Sequence, residues 1–336
     1  MQVGILGAGN ISDTHARAAR AIPGVAIAAV CGANREKTQR LAQAHGAVPY
    51  DDVEAFLAHR PMDIVAIGSP SGLHADQTIA AIRRGLHVLV EKPLDITVGK
   101  VDAVIAEAAR ARVKVGVFFQ DRLRPDVVTI KRLIDAGRLG RPVFASGRVK
   151  WYRPPEYYGS SRWRGTWALD GGGAVMNQAI HTVDLLQWLF GPVVRVCART
   201  ATLVHAIDVE DTAAALFEFA NGALGVFEAG TSMFPGYARR VEVTGTEGTL
   251  ILEGDRLLAA DLRNTADVVT ATPTDLESTA SPVVSDSSAH QRVFEDFIRA
   301  VEADGTPACD VREGRASVAI VQAIYRSSRQ GGWEQP

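Results

Sequence analysis

Asn177, His181 and Asp184 stand in the largely apolar stretch GGGAVMNQAIHTVDLL, residues 171–186. Their spacings are four and three, so a 3.6-residue helix puts them on one face. Ala174, Val175, Ala179, Val183, Leu186 and Leu189 are left to pack. A polar stripe on such a helix either closes an internal hydrogen-bond network or lines a cleft where an imidazole serves as acid or base. A second candidate is Lys92 in EKP, residues 91–93, at the end of the apolar run HVLVE. Ligands of open α/β sheets lie beyond the carboxyl ends of the strands. A lysine there exchanges a proton with a bound oxygen if its affinity is shifted from the usual value of about 10.4. Otherwise it is a surface lysine before a proline turn.

GAGNIS, Gly7 to Ser12, joins the first apolar run to the first amphipathic one. A dinucleotide pyrophosphate docks at such a junction, on the amides of a helix N-terminus. Gly7 allows the tight turn and Gly9 lets the backbone approach the phosphates. Asn10 and Ile11 complete the loop. The third fingerprint position holds Ser12 rather than Gly or Ala, so the motif is imperfect. The second run ends VCGANREK, with no Asp or Glu at Gly32, Ala33 or Asn34 to bind the ribose hydroxyls of NAD. Arg35 and Lys37 follow, and a guanidinium clamps a 2′-phosphate. The expected cofactor is therefore NADP ahead of NAD.

The elements that position these groups read as two domains. Up to residue 120, the runs QVGIL, VAIAAVC, DIVAIG, HVLVE and VKVGVFF alternate with helical stretches at 10–21, 35–45, 73–84 and 98–111. Val/Ile-rich strands separated by helices predict an α/β fold, a doubly wound parallel sheet covered on both faces. From 121 to 336 the pattern changes. A helix at 125–136, a strand at 143–151 and the 171–186 helix precede long strands, with NG at 221–222 and EG at 247–248 as hairpin turns. This predicts a second α/β domain with a large, open, mostly antiparallel sheet. Residues 270–288 read as a polar Ser/Thr/Pro loop, followed by two closing helices.

Totals exclude several classes of partner. The 336 residues are 47% hydrophobic and 22% charged, with a net charge of −2 and no long run of one sign. Neither a nucleic-acid surface nor a membrane surface is expected. Cys31, Cys197 and Cys309 lie far apart, with neither metal-ligand nor disulfide spacing, so no metal is expected and a reducing compartment is. MQVGILGAGN shows no signal-peptide pattern, and the expected location is cytoplasmic.

Taken together, GAGNIS with His15, SPSGLHADQTIAAIRRGLHVLVEKP, RLIDAGRLGRP, GGGAVMNQAIHTVDLLQWLFG and the closing AIYRSSRQG resemble the glucose–fructose oxidoreductase/inositol dehydrogenase (Gfo/Idh/MocA) family over almost the full length. The resemblance implies a Rossmann domain followed by an α/β domain with a large open sheet. It implies hydride transfer between NAD(P) and a carbinol carbon of a sugar, an inositol or a sugar derivative. Lys92 matches the EKP lysine implicated in catalysis, His181 the histidine paired with it, and Asp184 the acid one turn later. Ser69, Pro70, Ser71, Leu73, His74 and Glu91 match segments that run past the nicotinamide end. In this light the polar stripe faces the interdomain cleft, and Gly171–Gly173 let the chain pass close to a ligand. Many members have Asp where this sequence has Asn177, which cannot accept a proton, so Asn177 is expected to bind a substrate hydroxyl or fix His181. The same asparagine leaves an alternative of another class, a non-catalytic nucleotide-binding sensor. Homodimers or homotetramers are implied.

The loop WYRPPEYYGSSRWRGTW, residues 151–167, is dense in aromatic and arginine side chains. Flat apolar faces and planar donors suit sugar rings. Arg153, Tyr157 and Arg164 are the expected substrate contacts. Arginines also suit a diphosphate or a uronate carboxylate, and the aromatics also suit simple packing.

Overall fold

The structure, a computed structural model, describes residues 1–263, Thr270 and 286–336. The loop expected at 270–288 lies outside the described residues except for Thr270 and residues 286–288.

Two compact units form: Met1–Gln120 with the described part of Val283–Arg315, and the described part of Asp121–Pro282 with Ala316–Pro336. The sequence reading gave all of 121–336 to the second domain. The chain in fact returns to the first unit before finishing the second.

In the first unit, β1 (Gln2–Leu6), β2 (Ala26–Cys31), β3 (Val48–Tyr50), β4 (Ile64–Ile67), β5 (His87–Val90) and β6 (Val115–Val117) form one parallel sheet in the order β3-β2-β1-β4-β5-β6. The central strands are almost wholly buried, which explains their unbroken apolar runs. The edge strand β3 was not expected: it has three residues, and Pro49 confines it to an edge. Around the sheet run α1 (Asn10–Arg20), α2 (Arg35–His45), the short α3 (Val53–Leu57), α4 (His74–Arg83) and α5 (Val98–Ala111). Asn34, Asp52 and Thr97 cap α2, α3 and α5 by accepting backbone N–H bonds. Because β1 pairs with both β2 and β4, the chain leaves it in opposite directions. That switch point opens a crevice at the carboxyl ends of the strands.

In the second unit, α6 (Pro125–Asp135), β7 (Pro142–Lys150), the short α7 (Pro155–Gly159) and α8 (Ile180–Phe190) precede β8 (Val193–Ala201), β9 (Thr212–Phe219), β10 (Leu224–Gly230), β11 (Arg240–Gly245), β12 (Gly248–Glu253) and β13 (Arg256–Leu262). The sheet runs β13-β12-β11-β7-β10-β9-β8-β14, where β14 is Trp333–Glu334. Only β7 and β10 pair in parallel; all other neighbours are antiparallel. Both expected hairpins form: the first turns at Asn221–Gly222, and the second at Thr246–Glu247, one residue before the expected Glu247–Gly248, because Gly248 already pairs with Gly245. Helix α8 lies on one face of the sheet. It packs so closely on β7 that a Cβ at Gly147 would stand 2.8 Å from Leu186 and 2.9 Å from Thr182.

The two closing helices are α9 (Ser288–Glu302) and α10 (Val311–Gln330). Helix α9 belongs to the first unit, where Phe294 and Phe297 are buried and Phe297 presses on Gly116 of β6. No described helix is long and apolar enough to cross a membrane.

Candidate functional site

The glycine loop leaves β1 and enters α1. Gly7 has φ +133°, and a Cβ there would stand 2.7 Å from the Gly68 carbonyl oxygen, so both conformation and packing demand glycine. Gly9 differs. Its φ is −93°, and a Cβ would meet no described atom within 4 Å. Nothing in the packing of the described residues therefore requires a glycine at Gly9, and the space suits an approaching ligand. Gly9 is also the N-cap of α1, with no side-chain cap on the helix. Open first-turn amides beside free space fit a pyrophosphate. Beyond β2, Arg35 and Lys37 are exposed, and no ion pair ties them to other described residues.

The loop after β4 holds Ser69, Pro70 and a 3₁₀ turn, Ser71–Leu73. The Ser69 hydroxyl donates to Gln77 at 2.6 Å, and Leu73 is exposed. His74 is buried, with Nδ1 2.7 Å from the Pro93 carbonyl oxygen and Nε2 2.9 Å from that of Ser69. Its contacts thus tie the Ser69 loop to the EKP loop.

Lys92 follows β5 directly, half-buried, with a cis bond to Pro93. Its backbone N–H donates to Oε2 of Glu91 at 3.1 Å. Glu91 itself is buried. Its Oε1 lies 3.0 Å from Nε2 of His15 and 3.6 Å from Nε2 of His290, and His15 stacks on Phe118 at 4.2 Å. Burial alone would raise the Glu91 carboxyl, but the two histidines outweigh it and hold it well below the usual range. Burial lowers His15 against the pull of Glu91. Glu91 was expected at the cofactor; its neighbours are two imidazoles that anchor the backbone on which Lys92 sits.

In the second unit only part of the stripe sits on a regular helix. Ala174–Ala179 winds as a π-helix before α8 begins, which changes the register between Asn177 and His181, while His181 and Asp184 stand three residues apart in α8. Asn177 donates to Asp170 and accepts from Gln178 Nε2 at 2.8 Å. His181 is half-buried, with Nδ1 3.6 Å from Oδ2 of Asp121. Asp184 pairs with Arg122: both oxygens bond it, at 2.7 and 2.6 Å, and Oδ1 also accepts from Ser317 at 2.9 Å. Arg122 and Asp184 are each 1% exposed. Asp184 was expected to support His181 from one turn below; its carboxylate is committed to a buried ion pair with Arg122.

Two of the three glycines before the π-helix have a cause within the protein itself. A Cβ at Gly172 would collide with the Tyr325 hydroxyl, and one at Gly173 with the Glu210 carbonyl oxygen. These two let the chain pass close to its own protein. The Glu210 carboxylate closes this turn, accepting from Gly173 N–H at 3.0 Å, Val175 N–H at 2.8 Å and the Tyr325 hydroxyl at 2.9 Å. Burial pushes it up to about 7.

Within the 151–167 loop, arginines and rings alternate. Arg153 lies over Trp151 and Tyr157, and Arg164 lies over Tyr157 at 4.4 Å and Trp163 at 5.4 Å. Gln178 joins this ladder to Asn177: it donates to the Tyr157 hydroxyl at 2.8 Å and accepts from Arg153 at 2.9 Å. Arg153 is buried, which lowers its proton affinity. Sequence reasoning missed Asp170, Gln178, Glu210, Asp121, Arg122 and Arg239. Asp121 and Arg122 had a signal, a charge pair directly after an apolar parallel strand. Arg239 and Glu210 had none.

Residues 1–119 match the family described as "Oxidoreductase family, NAD-binding Rossmann fold", and residues 127–251 match the "GFO/IDH/MocA C-terminal domain". The chain is similar to the D-apiose dehydrogenase of Paraburkholderia graminis, at 28% identity over 97% of this chain and 87% of that one. It is similar to the inositol 2-dehydrogenase of Rhizobium meliloti, at 27% identity over 97% and 96% of the two chains. Among solved structures it is similar to the WlbA dehydrogenase of Bordetella pertussis in complex with NADH and UDP-GlcNAcA. The identity is 33%, coverage is 100% and 98%, and the TM-score is 0.90.

Proposed function

Since the chain belongs to the GFO/IDH/MocA oxidoreductase family, we propose that it is a dehydrogenase of sugars or polyols, moving hydride between NAD(P) and a carbinol carbon. The observation that carries this reading is in the first unit. A glycine with free space at an uncapped helix N-terminus lies on the same sheet as a lysine at the carboxyl end of β5. When bound, the nicotinamide supplies the hydride chemistry. Gly7, Gly9, Asn10 and Ile11 hold the pyrophosphate, and Ser69, Pro70, Ser71 and Leu73 run past the nicotinamide end. Lys92 and His181 are the acid–base groups that carry the proton of the reacting hydroxyl. Asn177, with Gln178 and Asp170 behind it, binds a substrate hydroxyl, and Tyr157 and Arg164 offer a face and a donor to the sugar.

NADP is favoured over NAD, because no carboxylate stands at Gly32, Ala33 or Asn34 after β2, while Arg35 and Lys37 stand exposed beyond them. Arg35→Ala is expected to weaken NADPH about tenfold and leave NADH unchanged; equal effects on both remove the preference. The WlbA relative, solved with NADH and a nucleotide-sugar acid, puts UDP-uronates on the substrate panel beside inositols, aldoses and anhydrosugars. Phe144, Leu216 and Leu224 are exposed on the sheet face away from α8, in adjacent strands β7, β9 and β10. Such a patch suits a second copy of the chain, and Leu216→Lys is expected to shift a homo-oligomer towards monomer in sedimentation.

The deciding assay is absorbance at 340 nm with each cofactor across the panel. Turnover that drops by about 10² or more in Lys92→Ala, with cofactor affinity kept, supports the reading. A Lys92→Ala enzyme at the parental rate removes Lys92 from it. Cofactor binding without turnover on any substrate favours the non-catalytic sensor.

A further inference from the structure

A carboxylate close to the His181 imidazole comes from far away in the sequence. Asp121 stands just after β6, and its Oδ2 lies 3.6 Å from Nδ1 of His181, with both residues in the second unit. Asp121 is not a loose partner. Its Oδ1 accepts from Arg124 Nε at 3.1 Å, and its Oδ2 accepts from Arg239. Those two arginines share a second acid: Arg239 meets Asp255 at 2.6 Å and Arg124 meets it at 3.0 Å. Two carboxylates and two guanidiniums thus alternate in a closed ring with no net charge. Arg239 is further fixed by donating to the Gly254 carbonyl at 3.0 Å.

We propose that Asp121 is the positioning residue for His181, fixing the imidazole with its proton on Nδ1 so that Nε2 is left as the proton acceptor. This rests on the reading of His181 as an acid–base group.

The argument is one of donors and acceptors. A carboxylate oxygen only accepts, so the ring nitrogen that faces it must carry hydrogen. A neutral imidazole with Nδ1–H has its lone pair on Nε2, at the opposite end of the ring. Asp121 remains ionised for this purpose: although buried, it is held below the usual carboxylate range by Arg239, His181 and Arg124. Two other acids of this unit have strong partners of their own. Asp184 bonds Arg122 and Ser317, and Asp170 receives Asn177. The distance of 3.6 Å exceeds a hydrogen bond, and acid–base geometries of this kind contract when substrate is bound. Because the charged ring is neutral, Asp121 acts on His181 mainly by direction, with little net field. In the step itself, the proton leaves the substrate hydroxyl for the lone pair on Nε2. The electron pair of the broken O–H bond stays on oxygen, and the Nδ1 proton stays on the ring, directed at Asp121.

The first test needs no substitution at Asp121. The imidazole of ¹⁵N-labelled full-length protein, saturated with its cofactor, is observed by long-range ¹H–¹⁵N correlation. Spectra are taken where the ring is neutral, with His181→Gln used to assign the signal. Hydrogen on Nδ1 is expected; hydrogen on Nε2 overturns the proposal. The second test is a double-mutant cycle on turnover. Asp121→Asn is expected to lower kcat by about 10² in the parental enzyme, and by less than threefold in His181→Gln. Equal losses in both backgrounds mean that Asp121 serves only the arginine ring, and overturn the proposal. A His181→Gln enzyme at the parental rate is a different result. It removes the acid–base reading of His181, and the proposal with it.

Discussion

Replacing Asp184 by asparagine separates a catalytic from a structural role for this residue. Its two oxygens bond Nε and Nη2 of Arg122 and the Ser317 hydroxyl, and the pair is almost fully buried. The amide of Asp184→Asn keeps the shape of the side chain but leaves the guanidinium buried without its countercharge. Breaking one partner of such a pair costs about 3–5 kcal/mol. At roughly 2–4 °C per kcal/mol for a unit of this size, the melting temperature falls by about 6–20 °C. Turnover of the protein that remains folded at 25 °C falls less than tenfold. Thermal and urea unfolding give the first number, and initial rates per folded protein the second. Replacing both partners, Arg122→Met with Asp184→Leu, is expected to regain most of the lost stability, because two apolar groups leave no buried charge. A loss of about 10² or more in kcat at an unchanged melting temperature would refute the reasoning and return Asp184 to the reaction.

Two glycines give opposite outcomes. Gly9→Ala has open space around its Cβ, so stability stays the same while cofactor affinity, by fluorescence titration, falls at least tenfold. Gly172→Ala has φ +155° and a collision with Tyr325, so it destabilises by about 2 kcal/mol or more in urea unfolding. Glu210 predicts a pH dependence. Its folded carboxyl is raised from the ordinary 4.5 to about 7, so its contribution to stability is fully present below pH 4.5 and is lost as pH rises through about 7. The loss amounts to about 3 kcal/mol at most, and Glu210→Gln should remove that slope from urea midpoints measured between pH 5 and 8; an unchanged slope excludes Glu210 as its source.

The alternation of buried strands and amphipathic helices was legible because a parallel sheet covered on both faces leaves unbroken apolar runs, as in β1, β4 and β5. The hairpins at Asn221–Gly222 and, to within one residue, at Thr246–Glu247 were legible because turn chemistry is local. Gly7 was legible for the same reason. The strand β3 escaped, since three residues with a proline carry too little pattern, and the return of α9 to the first unit is a matter of which surface Phe294 and Phe297 bury against.

Sequence by itself determined the residue types and their local conformations: a glycine turn at Gly7, a lysine at the end of β5, and an imidazole on an apolar helix. Only the tertiary structure decided their partners. The path of the chain brought Asp184 to Arg122, Asn177 to Asp170 and His181 towards Asp121. The physical reason is range. A backbone conformation is set by neighbours a few residues away. A buried charge is satisfied by whichever opposite charge the fold brings within a few ångströms, and Asp121 and His181 are brought together across 60 residues that carry no shared pattern.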